Sequence, residues 1–209
     1  MAELTAESDT KSLSSMAKRL LQIVAVCESK ISQATLLHLL KACGWADAPT
    51  KSGFLTQPLL KPDLKSLVDR GFLESRNAAM TFLSIARPCQ DMAVQQAVKA
   101  GNFKLIADAV EKLIDELDRD LTLARVADVT AIKARRRARI AFYRGDVASY
   151  AAAKQELATS KPELKYLGLL QPFDSEVYEH VPLELQADVL LHPISHSIVT
   201  AQGSTELME

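Results

Sequence analysis

The stretch from Pro62 to Ile85 constrains this chain more than any other. Residues 62–70 place Leu64, Leu67 and Val68 at helical spacing behind a proline, and Gly71 stops the run. Phe72 to Arg76, a short turn at Asn77-Ala78-Ala79, and Met80 to Ile85 then read as two strands joined tightly. A hairpin directly after a helix cannot shield its own apolar face. Further helices must cover it, and the residues ahead of it supply them.

Ser14 or Ser15 is the expected N-cap of a first helix, with Met16, Leu20, Ile23, Val24 and Cys27 on one face and Lys18, Arg19 and Gln22 on the other. After Ser29-Lys30-Ile31, Ser32 is expected to cap a second helix that buries Leu36, Leu37, Leu39 and Leu40 and ends at Gly44. Pro49, Gly53, Pro58 and Pro62 interrupt the chain beyond Trp45, so the third helix is expected to be short, opening at Pro62, with an extra turn near Leu55 to Leu60. Residues 1–12 offer too little apolar surface to order and are expected to form a disordered tail.

Residues 13–88, through Leu36 to Leu40, Leu64 to Glu74 and the hairpin, resemble a winged-helix (helix-turn-helix) domain. The resemblance implies contact with duplex DNA, or with protein, through the third helix and the wing. Lys51, Lys61, Lys65 and Arg70 around that helix, with Arg76 and Asn77 at the wing tip, are the expected nucleic-acid-binding residues, because cations there would displace phosphate counterions. Asp63 and Asp69 on the same helix oppose that field. Residues 11–90 carry 11 Lys and Arg against 5 acids, whereas residues 160–209 carry 2 against 8. The front is therefore the part suited to a polyanion.

From Asp91 onward the pattern is helical. Gly101 and Gly145, 44 residues apart, are each followed by Asn102 or Asp146, an apolar residue and a further helical run. This is a helix, glycine turn and helix used twice, and the second copy resembles a tetratricopeptide repeat, with Ala138 at a small-residue position and Pro162 at the close. Tyr150 departs from the alanine that family prefers, and the spacing exceeds its 34 residues. We therefore expect a tetratricopeptide-like helical-hairpin domain over 91–195, a contact surface for protein or for self-association, and a flexible terminus over 196–209. The fold class is mainly α. The end of the chain carries no closing apolar face, as in a frayed terminus or in the front segment of a larger regulator or ATP-driven DNA-processing or defence protein.

Lys133, Arg135, Arg136, Arg137, Arg139 and Arg144 are the densest charge in the chain. Arg135, Arg136 and Arg139 form either a second basic patch for an acidic partner or a solvated face paired with the acids between Asp108 and Asp120. Consecutive helices of suitable length favour the second.

His192 and His196 stand four apart, but Pro193 between them and the lack of a third ligand argue against a metal site. There is no glycine-rich phosphate loop, nucleophile elbow or His-Glu-x-x-His motif, so neither an enzyme nor a cofactor is expected. Cys27, Cys43 and Cys89 lie in apolar stretches without a Cys-x-x-Cys pair and read as small buried hydrophobes in a reducing compartment. No apolar run reaches the roughly 20 residues of a membrane span, and Met1 to Lys11 has no signal-peptide core, so the expected location is cytoplasmic.

Overall fold

The computed structural model describes Thr10 and residues 12–45, 56–75, 77–123, 129–160, 175–179 and 181–188. It is mainly helical and divides into two compact units, Met1–Val129 and Thr130–Glu209. None of the described helices is long and apolar enough to cross a membrane.

The first unit is built round α1 (Ser15–Cys27). Ser14 caps it, its hydroxyl accepting from the Ala17 N–H at 2.9 Å. From Leu20 to Cys27 every side chain is buried, so α1 has a covered circumference instead of the two-faced pattern expected. Gln22, expected on the polar side, is 6% exposed and takes a 3.0 Å hydrogen bond from the Asn102 amide. That partner makes its burial tolerable.

β1 (Ile31–Ser32) leads directly into α2 (Gln33–Ala42), whose N-cap is Ser32 as expected. α3 (Gln57–Asp69) is longer than the sequence suggested, since it begins five residues before Pro62. Pro58 stands in the first turn, where a missing N–H costs nothing, whereas Pro62 lies inside the helix on its exposed side and removes one backbone hydrogen bond there. The apolar side of α3 buries Leu60, Leu64 and Leu67.

β2 (Leu73–Ser75) and β3 (Phe82–Ile85) form the expected hairpin, and β1 adds an unexpected third strand in the order β1-β3-β2, all antiparallel. Ile31 lies opposite Leu83 and Leu73 opposite Ile85, all four facing the core. Glu74, Phe82 and Ser84 take the outer face by alternation.

The unit continues beyond the boundary expected at 88–91. α4 (Arg87–Lys99) packs along α1, and its Gln90 amide donates to the Ala25 carbonyl at 3.2 Å. Gln96 on the same helix donates to the Thr10 hydroxyl at 3.0 Å, so Thr10, within the stretch expected to be disordered, is buried and hydrogen-bonded.

The run after Gly101 is two helices, α5 (Phe103–Lys112) and α6 (Ile114–Leu123), where the sequence suggested one. The break lets α6 reach the edge of β1. There Asp120, 3% exposed, accepts the Ser32 backbone N–H at 2.8 Å, and Glu116 meets the His38 ring at 2.8 Å. A carboxylate thus fills the position a neighbouring strand would occupy on an open sheet edge. Asp120→Leu is expected to strand that buried N–H and to lower stability by about 1–3 kcal/mol. Chemical denaturation of Asp120→Leu beside Asp120→Asn, which keeps an acceptor, checks this.

The second unit contains α7 (Val129–Arg144), α8 (Val147–Ser160), α9 (Ser175–Tyr178) and a last helical segment at 183–188. Ala131, Ala134 and Leu157 form one cluster between α7 and α8. Tyr150, the departure from the tetratricopeptide pattern, is 5% exposed: its ring lies 6.0 Å from Phe142 and its hydroxyl donates to Asp188 at 2.8 Å. Lys154, one turn on, donates to the other oxygen of Asp188. Two side chains of α8 therefore hold the 183–188 segment in place.

Both aligned glycines end their helices in the same way. Gly101 and Gly145 have φ of 68° and 70°, and the next residue's N–H reaches back to Ala97 and Ala141 respectively. Their surroundings differ, because a Cβ at Gly145 would meet Pro182 Cδ at 3.0 Å, whereas one at Gly101 would meet nothing within 4 Å. Gly101→Ala is expected to cost about 1–2 kcal/mol through backbone strain alone. Gly145→Ala should cost measurably more, and thermal melts of the two variants side by side decide it.

Candidate nucleic-acid interface

Lys61 and Lys65 are both exposed, one turn apart on α3 and away from its buried leucines. The spacing puts two ammonium groups on one helical face. Asp63, expected to weaken that field, instead accepts a 2.6 Å hydrogen bond from the Ser14 hydroxyl, which draws its carboxylate toward the start of α1. Asp69 remains exposed near the helix end. Leu59, 40% exposed, and Pro58 share the open side of this helix.

Arg70 and Asn77 are both engaged within the fold. The Arg70 guanidinium donates to the Ser12 hydroxyl at 2.7 Å and lies 5.6 Å over the Phe72 ring. Asn77 closes the hairpin turn: its side-chain oxygen accepts the Thr81 N–H at 3.1 Å and its amide donates to the Thr81 hydroxyl at 3.2 Å. Lys51 and Arg76 lie outside the described residues, as do His192 and His196.

The turn itself is tightly specified. Met80 donates its N–H to the Asn77 carbonyl at 3.0 Å and adopts φ of 52°, in the left-handed region that a side chain disfavours. Gln33, at the first position of α2, donates to the carbonyls of Ala79 at 3.0 Å and Met80 at 2.9 Å. Sequence reasoning assigns Gln33 no role, because a lone glutamine at a helix start carries no signal of a partner 46 residues away.

Beside the turn, the outer sheet face and Leu123 bound a cleft of about 580 Å³. Lys30 and Glu74 lie on either side of Ser84 there, so opposite charges offset one another. The cleft therefore gives an anion no net attraction.

The Arg135 to Arg139 run lies on α7 and is not the solvated face expected. Arg136 is 1% and Arg139 2% exposed, whereas Arg137 is exposed and pairs with Glu156 of α8 at 2.7 Å. Ala134, Ala138 and Ala141 fall on one face of this helix by spacing, and Arg136 and Arg139 on the opposite one, so both faces of α7 are covered.

All three cysteines are free and buried. The Cys43 thiol points at the Leu105 carbonyl, 3.9 Å away, and burial pushes its pKa up to about 11 from 9.0. The unfolded chain loses this proton first, so the stabilisation is complete below pH 9 and is lost as pH rises from about 9 to about 11. Denaturation of the parent beside Cys43→Ala across that range checks this, the parent losing stability relative to the variant as pH rises. Among the described residues no group of three or more His, Cys, Asp or Glu side chains could hold a metal ion.

No protein-family model matches this chain, and neither a curated protein nor a solved structure is significantly similar to it.

Proposed function

We propose that residues 13–88 act as a winged-helix module that contacts duplex DNA through α3 and the hairpin turn, while the helices beyond contact protein. The observation that carries the reading is the pairing of two exposed lysines on α3, the helix that immediately precedes the hairpin, with a turn held in one geometry. The order helix, strand, two helices and hairpin supports it, and so does the contact with Ser14 that directs the Asp63 carboxylate toward the start of α1. Counterion release would supply most of the affinity, as it does for sequence-independent contacts generally. Leu183, 80% exposed on the last helical segment, supports a protein contact for the second unit. The role is non-catalytic.

A salt titration of binding to a short duplex tests the DNA reading. The expected result is a linear fall of log affinity with log salt, with a slope near 0.9 per phosphate contacted. No binding at low salt defeats the reading.

One observation favours a second reading, a scaffold whose module associates with protein and not with nucleic acid. Leu59 and Pro58 leave apolar surface open on α3 beside the lysines. On that reading the chain is a stable oligomer at micromolar concentration, and a strict monomer that shifts duplex DNA excludes it.

A further inference from the structure

We propose that Gln33 is the positioning residue of the DNA-contacting surface, holding the hairpin turn in its binding geometry from the start of α2. The inference rests on the reading of α3 and the turn as a duplex-contacting face. It adds a residue that touches no partner. The side-chain nitrogen of Gln33 carries two hydrogens, and both are used, on Ala79 and Met80. The reverse orientation of the amide would set its oxygen against two carbonyls.

The segment that those two bonds hold is otherwise disfavoured. Met80 sits at φ of 52°, where glycine would sit freely. A non-glycine residue persists there only when its surroundings fix it. Asn77 fixes the near side of the turn through Thr81, and Ser75 adds a 3.0 Å hydrogen bond to the Asn77 carbonyl. Gln33 fixes the far side. Its own position is set by the strand before it, because Ser32 pairs with Phe82 of β3 and caps α2. The start of α2 and the turn therefore move as one body, and the exposed tip at Ala78 and Ala79 is presented without a search through other conformations. Pre-ordering of this kind raises affinity by removing the ordering entropy from the binding step.

Gln33→Leu keeps the bulk and removes both donors. In the full chain without DNA, it is expected to speed hydrogen exchange at the Met80 and Thr81 amides while leaving the amides of α1 unchanged. Affinity for a short duplex should fall about tenfold, the factor that corresponds to roughly one hydrogen bond's worth of ordering. The salt slope should stay the same, because no phosphate contact is removed. Met80→Gly in the Gln33→Leu background releases the strain but leaves the turn loose, so affinity should not recover. Gln33→Asn, whose shorter arm cannot reach both carbonyls, should fall between. Unchanged exchange at Met80 and Thr81, or unchanged affinity in a chain whose parent binds duplex DNA, overturns the role of Gln33 alone. A parent chain that binds no duplex DNA overturns this role together with the reading beneath it.

Discussion

Replacing Arg136 or Arg139 with glutamate is expected to lower stability by about 3–5 kcal/mol, the range for disrupting a buried ionic arrangement. Both side chains are almost fully buried on α7, and a buried charge is tolerated only where its surroundings compensate it. Glutamate keeps a charge at the site, of the wrong sign, and is too short to fill the volume. At about 2–4 °C per kcal/mol for a chain of this length, the melting temperature should drop by about 6–20 °C. Arg137 is the internal control. It lies on the same helix but is exposed, so Arg137→Glu should cost no more than about 1 kcal/mol despite its 2.7 Å pair with Glu156. Thermal melts of the three single variants separate burial from charge. Equal small losses in all three would contradict the account.

Reversing the charge of Lys61 and Lys65 together is expected to weaken duplex binding by about 100-fold near 0.1 M salt, roughly tenfold for each lysine–phosphate pair removed. The salt slope should also fall by about 1.8, which is 0.9 for each phosphate released. Both side chains are exposed, so stability should move by no more than about 0.5 kcal/mol, and weakened binding cannot then be ascribed to unfolding. Arg70 behaves differently on this account. Its guanidinium is committed to Ser12 and Phe72, so Arg70→Ala should act mainly on stability and leave the slope nearly intact. A full retention of affinity in Lys61→Glu/Lys65→Glu would remove α3 from the interface.

The local signals of the fold were legible where they depend on a few neighbouring residues. Ser14 and Ser32 cap their helices through hydroxyls that accept the third N–H onward, and the glycine ends at Gly71, Gly101 and Gly145 follow from residues that tolerate positive φ. The hairpin was legible for the same reason, because alternation and an Asn-led turn sit close together in the chain.

The features that escaped the sequence depend on distant partners. β1 is only two residues long and exists because Leu83 and Phe82 lie alongside it. Gln22 and Asp120 read as surface residues until Asn102 and Ser32 are brought to them from 80 and 88 residues away. The candidate site divides along the same line. Lys61 and Lys65 follow from helical spacing, whereas the engagement of Arg70 with Ser12 and the grip of Gln33 on the turn need the fold to be known. The two buried arginines carry no local signal, because a run of arginines on a helix reads as a solvated face until the burial of α7 is known.

The central claim is that α3 and the hairpin turn together form one face for duplex DNA. Hydrogen exchange of the whole chain, with and without a saturating short duplex, tests it most directly. The account predicts added protection at the exposed side of 57–69 and at 77–81, with the buried core of α1 and the amides of α7 and α8 unchanged. Protection confined to 130–160, or none anywhere while binding is saturated, would contradict it.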